Sequence, residues 1–140
     1  MKYKHIIIII ALFIIYSCSV TRQQNCNCSK KENWEKCIEG KWESKEDANF
    51  TLSFKKGKVI WAYKYESGEI ESEVYDYFFS SSSCDLEYLN KNTSDNIFIS
   101  YISTKDTLCY EITAFSTNQF TYIWTNRPNI QSFNKIFSRK

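Results

Sequence analysis

The sequence predicts an all-β protein, a small barrel or sandwich of eight or nine strands. Three observations lead there. Apolar and polar residues alternate in run after run from Gly40 onward. The runs recur at about 8–12-residue spacing, with turn residues between them. No helix-length stretch downstream carries a 3.6-residue apolar period.

The elements follow in order. Trp34-Glu35-Lys36-Cys37-Ile38 suits one short helical turn. A first strand lies around Gly40-Lys41-Trp42. Phe50, Leu52 and Phe54 alternate, the pattern breaks at Lys55-Lys56-Gly57-Lys58, and it resumes at Val59, Trp61, Tyr63 and Tyr65. Two such runs around a glycine turn form a β-hairpin. After Ser67-Gly68 a third run extends from Glu69 to about Phe79. Its trio Glu69, Glu71 and Glu73 reads as a solvated strand face. Four serines then precede the run Asp85–Leu89, and Asn90–Asn96 is a loop. Strands are expected again at Ile97–Ile102, Leu108–Ile112, Phe120–Trp124 and Ile130–Phe137.

The N-terminus is of another kind. Lys2, Lys4 and His5 precede the ten-residue apolar run Ile6–Ile15. A basic start, an apolar core and a small residue make an export signal. It is shorter than the roughly 20 apolar residues that span a bilayer. Ile14-Ile15-Tyr16-Ser17-Cys18 resembles the lipobox of bacterial lipoproteins. The resemblance implies cleavage before Cys18 and acylation of its sulfur and amine, and hence a membrane as partner. The organisation expected is a signal at 1–17, a lipidated N-terminus with polar tether at 18–36, and a barrel domain at 37–140.

Removing 1–17 takes two of the 18 basic residues away and leaves sixteen against sixteen acidic ones. A neutral chain without a basic, aromatic-interleaved patch is a poor nucleic-acid binder. The single histidine, His5, leaves with the signal. That removes histidine-based nucleophiles and zinc sites that need a histidine. No cofactor or metal signature stands out, and a non-enzyme is expected.

The six cysteines are Cys18, Cys26, Cys28, Cys37, Cys84 and Cys109. With Cys18 acylated, five remain in an oxidising compartment, so one is left over. Cys84 and Cys109 flank or lie in strand-like runs, and a disulfide between them is expected, worth about 3 kcal/mol. Either Cys26 or Cys28 can bridge to Cys37, with Cys28–Cys37 taken as the second pair. A thiolate metal site is the less favoured alternative for these three.

Gly40-Lys41-Trp42 resembles the Gly-x-Trp of lipocalins, whose tryptophan plugs the barrel base. Residues 106–112, 120–124 and 133–137 resemble the C-terminal half of small lipocalin-like lipoproteins of the Bacteroidetes. The resemblance implies an antiparallel up-and-down barrel. In many lipocalins a late basic residue stacks on the motif tryptophan, and Arg127, Lys135 and Arg139 are the candidates. The surface-export tag of such lipoproteins is acidic, whereas no acid follows Cys18 before Glu32. An outer-membrane anchor facing the periplasm is therefore expected. Asp106-Thr107-Leu108 also resembles an O-glycosylation triplet of that group.

Function then turns on how the 21 aromatic residues that follow the signal are used. They line a cup for a small apolar ligand, or they fill the interior. A barrel this small favours filling, with Trp42, Phe50, Phe54, Trp61, Tyr63, Tyr110, Tyr122 and Trp124 in competition. The alternative to a ligand cup is a protein-binding module, such as an enzyme inhibitor. Asn126-Arg127-Pro128-Asn129 would be its contact loop.

Overall fold

The computed structural model describes residues 27–85, 95–127 and 129–137, in which eight strands close into one antiparallel barrel. They are β1 (Gly40–Ser44), β2 (Phe50–Lys55), β3 (Lys58–Lys64), β4 (Ile70–Ser80), β5 (Ile97–Ile102), β6 (Thr107–Phe115), β7 (Gln119–Trp124) and β8 (Ile130–Ile136). Each strand pairs with its neighbours in sequence, and β1 closes the ring on β8, with Trp42 opposite Lys135. This up-and-down order is the lipocalin-like architecture. The short helix α1 (Trp34–Ile38) packs against one end. Among the described residues the strand count is eight. Asp85 lies outside any strand, and 86–94 fall outside the described residues.

Local chemistry accounts for the corners. Lys56 (φ 51°) and Gly57 (φ 76°) are both left-handed. A two-residue type I′ hairpin needs that pair of angles. Lys55 accordingly faces Lys58 across the turn. A bulge between Ile112 and Ala114 shifts the parity of β6. Phe115 thereby joins Phe120 on the inner face, instead of pointing out as strict alternation from Ile112 would require.

Two disulfides fasten segments outside the barrel. Cys84–Cys109 ties the chain leaving β4 to the outer face of β6, where Thr125 Oγ1 also donates to Asp85 at 3.2 Å. Phe98, Ser100 and Cys109 share that outward parity, yet all three are buried. Cys28–Cys37 folds the N-terminal approach back onto α1. The described part of the expected free tether is thus docked. Cys28 is buried, and Trp34 Nε1 donates to its carbonyl at 2.9 Å. The reason is the apolar ring of Trp34, which stacks on Phe115 at 4.9 Å. Cys18 and Cys26 lie outside the described residues.

Candidate functional site

The barrel has two unlike ends. At the base, Trp42 is fully buried and its Nε1 donates to the Ile38 carbonyl at 2.6 Å. Lys135 lies over its ring, 5.0 Å from the centroid, and donates to the Cys37 carbonyl at 2.9 Å. Lys135 therefore takes the stacking role for which three residues were candidates. Arg127 sits instead over Trp124, at 5.5 Å, and Arg139 lies outside the described residues. Burial lowers the Lys135 pKa, with Glu39 opposing. Gly40 suits its place chiefly through its backbone angle. Its φ is +123°, and a Cβ there would come within 2.9 Å of Lys135 Cε. Trp42 meets Phe120 edge-on at 4.8 Å, and Phe120 stacks on Phe133 at 4.8 Å. This half is solid.

A layer of tyrosines lies above it. Tyr101 and Tyr122 are wholly buried, and Tyr110 packs on them at 5.1 and 4.2 Å. Burial pushes the phenols of Tyr101 and Tyr122 far above their ordinary value, and raises Tyr110 in the same way.

Beyond this layer the barrel opens. Loops 45–49, 65–69, 103–106 and 125–129 ring the mouth. Inside it is a cup of about 490 Å³. Its aromatic walls are Phe50, Trp61, Tyr63, Tyr75, Tyr110 and Trp124. Four carboxylates join them: Glu46, Asp47, Glu73 and Asp106. The expectation of a mostly filled interior holds for the base and fails here. Along the β1–β8 seam, the inward residues change from Trp42 to Ser44 and from Phe133 to Gln131, and both replacements line the cup. Smaller and more polar side chains leave the space that rings occupy below.

The carboxylates are held by neutral donors. Glu46 accepts from Ser44 Oγ at 3.1 Å and from the Ser132 N–H at 3.1 Å. Asp47 accepts from the Asn49 N–H at 2.9 Å, and Asp106 from the Thr107 N–H at 2.8 Å. Glu73 accepts from the Tyr75 hydroxyl. Burial, reinforced by that carboxylate, pushes the Tyr75 phenol up to about 12. The Tyr63 phenol is raised chiefly by its hydrogen bond to Asp47.

The glutamates expected on a solvated face, Glu69, Glu71 and Glu73, are all exposed, and Glu73 also lines the cup. Glu71 and Glu73 are exposed, but they share the inward parity of Tyr75 and Tyr77. That parity was the signal available in the sequence. Glu46 and Asp47 carried none, since they lie in a loop whose direction only barrel closure sets. Among the described residues, no group of three or more potential metal ligands forms. The structure brings Gly40, Trp42, Cys28 and Cys37 together at the base, and places Cys84 and Cys109 on the outer wall. No family model, no curated protein and no solved structure matches the chain.

Proposed function

We propose that this chain is a lipid-anchored, non-catalytic binding protein of the small lipocalin-like lipoprotein type, whose cup takes a small ligand with an apolar body. The observation that carries this reading is the cup of about 490 Å³ with six aromatic walls. Ligand pockets run from about 300 to 1,000 Å³ with mainly apolar and aromatic linings. Acylation of Cys18, in a bacterial outer membrane facing the periplasm, supplies the address. The N-terminal approach enters at the base, through Cys28 and α1. The described N-terminal segment docks at the end opposite the mouth, which suits an anchor upstream of it. Two disulfides suit an exported chain.

Two measurements test the reading. The neutral dye N-phenylnaphthylamine should brighten on binding the protein, and Leu108→Trp, which puts a large ring on the cup wall, should abolish that signal. No binding by the unaltered protein would remove the cup function. Cys18→Ala should leave the membrane fraction, and an unchanged membrane fraction would refute the anchor. A second reading, a protein partner seated on the mouth, is favoured by the exposed Asn126, Arg127 and Asn129, with Arg127 beside Trp124 on the rim.

A further inference from the structure

We infer that the cup selects an organic cation, an amine or quaternary ammonium on an apolar body, over neutral and anionic ligands of the same shape. The inference rests on the cup being a ligand site and names the class of ligand it takes.

Three observations converge on it. First, among the described residues the lining holds four carboxylates and no lysine, arginine or histidine. Lys45, Lys105 and Arg127 lie in the mouth loops, and none of them lines the cup. Second, those carboxylates form no ion pair among the described residues. Their hydrogen-bond donors are hydroxyls and backbone N–H groups. The ion pairs formed among the described residues, Lys58–Asp76 and Lys30–Glu32, involve none of them. Four negative charges around a cavity with low-dielectric walls concentrate a field that draws cations and repels anions. Third, six of the lining residues are aromatic, and an aromatic ring attracts a cation placed over its face. One ring of the lining already carries a cation, with the Arg127 guanidinium 5.5 Å from the Trp124 centroid.

One polar group lies beneath the cup wall. The Tyr101 hydroxyl is buried and makes no hydrogen bond of normal geometry. It lies one layer down, with its ring packed on Tyr75 and Tyr110 of the cup wall at 6.2 and 5.1 Å. The four carboxylates of the cup are acceptors only, and the ligand head complementary to them is a donor. An ammonium provides donors and charge together, whereas a carboxylate ligand would face four of its own kind.

The test uses the full disulfide-bonded chain at neutral pH and low salt, with isothermal titration calorimetry. The ligands are naphthylmethylamine, naphthylmethanol and naphthoate, which share one ring system and differ in charge. The amine should bind at least about tenfold more tightly than the alcohol, with naphthoate weakest. Added salt should shrink the amine's advantage, because exposed charges are screened. Glu73→Gln combined with Asp106→Asn should shrink it too, with circular dichroism confirming the fold. Asp47→Asn alone is the fallback if that pair fails to fold. Three ligands of equal affinity, or naphthoate the tightest, would overturn cation selection while leaving the cup in place. An advantage that survives both salt and the carboxylate variants would also overturn it. No binding by any of the three would overturn the cup itself.

Discussion

Base and mouth are built from the same strands with the same alternation, yet they do opposite things. At the base, Trp42, Phe120 and Phe133 touch ring to ring and are fully buried, and α1 with Lys135 closes the end. At the mouth, Trp61, Tyr63 and Trp124 keep partial exposure around a cup edged by carboxylates. One end therefore supplies stability and the other leaves surface available for binding. The division shows how a barrel of eight strands, able to fill its interior, still keeps space: it concentrates large rings at one end and substitutes Ser44, Gln131 and acids at the other.

The largest expected effect comes from alkali, acting on the tyrosine layer between the two halves. Tyr101, Tyr110 and Tyr122 are raised by burial, and Tyr75 stands at about 12 against an ordinary value of 10.0. The folded state therefore holds phenol protons that the unfolded chain releases near pH 10. Above that pH the unfolded state binds fewer protons, so stability falls as pH rises. Lys135, whose pKa is lowered, works in the opposite sense, but it is one group against four. Urea midpoints should be flat up to about pH 9 and drop progressively from pH 10 toward 12. The 295 nm phenolate signal of the buried rings should appear together with unfolding. A midpoint that stays level to pH 12 would mean the layer is hydrated.

Trp42→Ala should cost about 3–5 kcal/mol. That is a large share of a typical domain's 5–15 kcal/mol. Chemical denaturation followed by circular dichroism would measure it. A loss under about 1 kcal/mol would show that the base is not the stabilising half. Next comes Cys28→Ser with Cys37→Ser. With a sequence separation of 9 between the paired cysteines, the loss should be about 2–3 kcal/mol. Dye binding at the mouth should persist, since the two sites share no partners. If binding disappears along with the bond, the two halves are coupled and the contrast between them fails.

Gly40→Ala ranks below these, at about 1–3 kcal/mol, because its backbone angle is one that L side chains rarely adopt. The close approach is to the far end of the flexible Lys135 side chain. In a Lys135→Ala background most of the penalty should therefore remain. If it vanishes there, the crowding dominates and the angle matters little.

How much of this was legible beforehand differs between the ends in the same way. The all-β class, eight of the expected strand runs and the turn within Lys55-Lys56-Gly57-Lys58 follow from period-2 alternation and turn chemistry, which are local. The importance of Gly40 and Trp42 was readable from a short motif, but the identity of the stacking cation was not. Lys135 is distinguished by sharing the inward parity of Phe133, a fact that becomes decisive only once β8 closes on β1. The cup was harder still. Its aromatics look the same in sequence whether they fill or line the interior, and two of its acids sit in the 45–49 loop. Long-range closure decides which way such a loop faces.

The smallest expected stability effect is the one that separates the halves most cleanly. Glu73 is exposed, forms no ion pair with a described residue and accepts from Tyr75. Glu73→Gln keeps an acceptor in place and removes one charge, so it should move the urea midpoint by no more than about 0.5 kcal/mol equivalent. The same change takes away one of four negative charges at the mouth, and naphthylmethylamine affinity should fall while naphthylmethanol affinity holds. Paired calorimetric and denaturation measurements on one variant check both statements. A residue that alters binding and leaves folding alone belongs to the mouth. If Glu73→Gln instead destabilised the barrel as Trp42→Ala does, the carboxylate would be part of the framework, and the two ends would not divide the work.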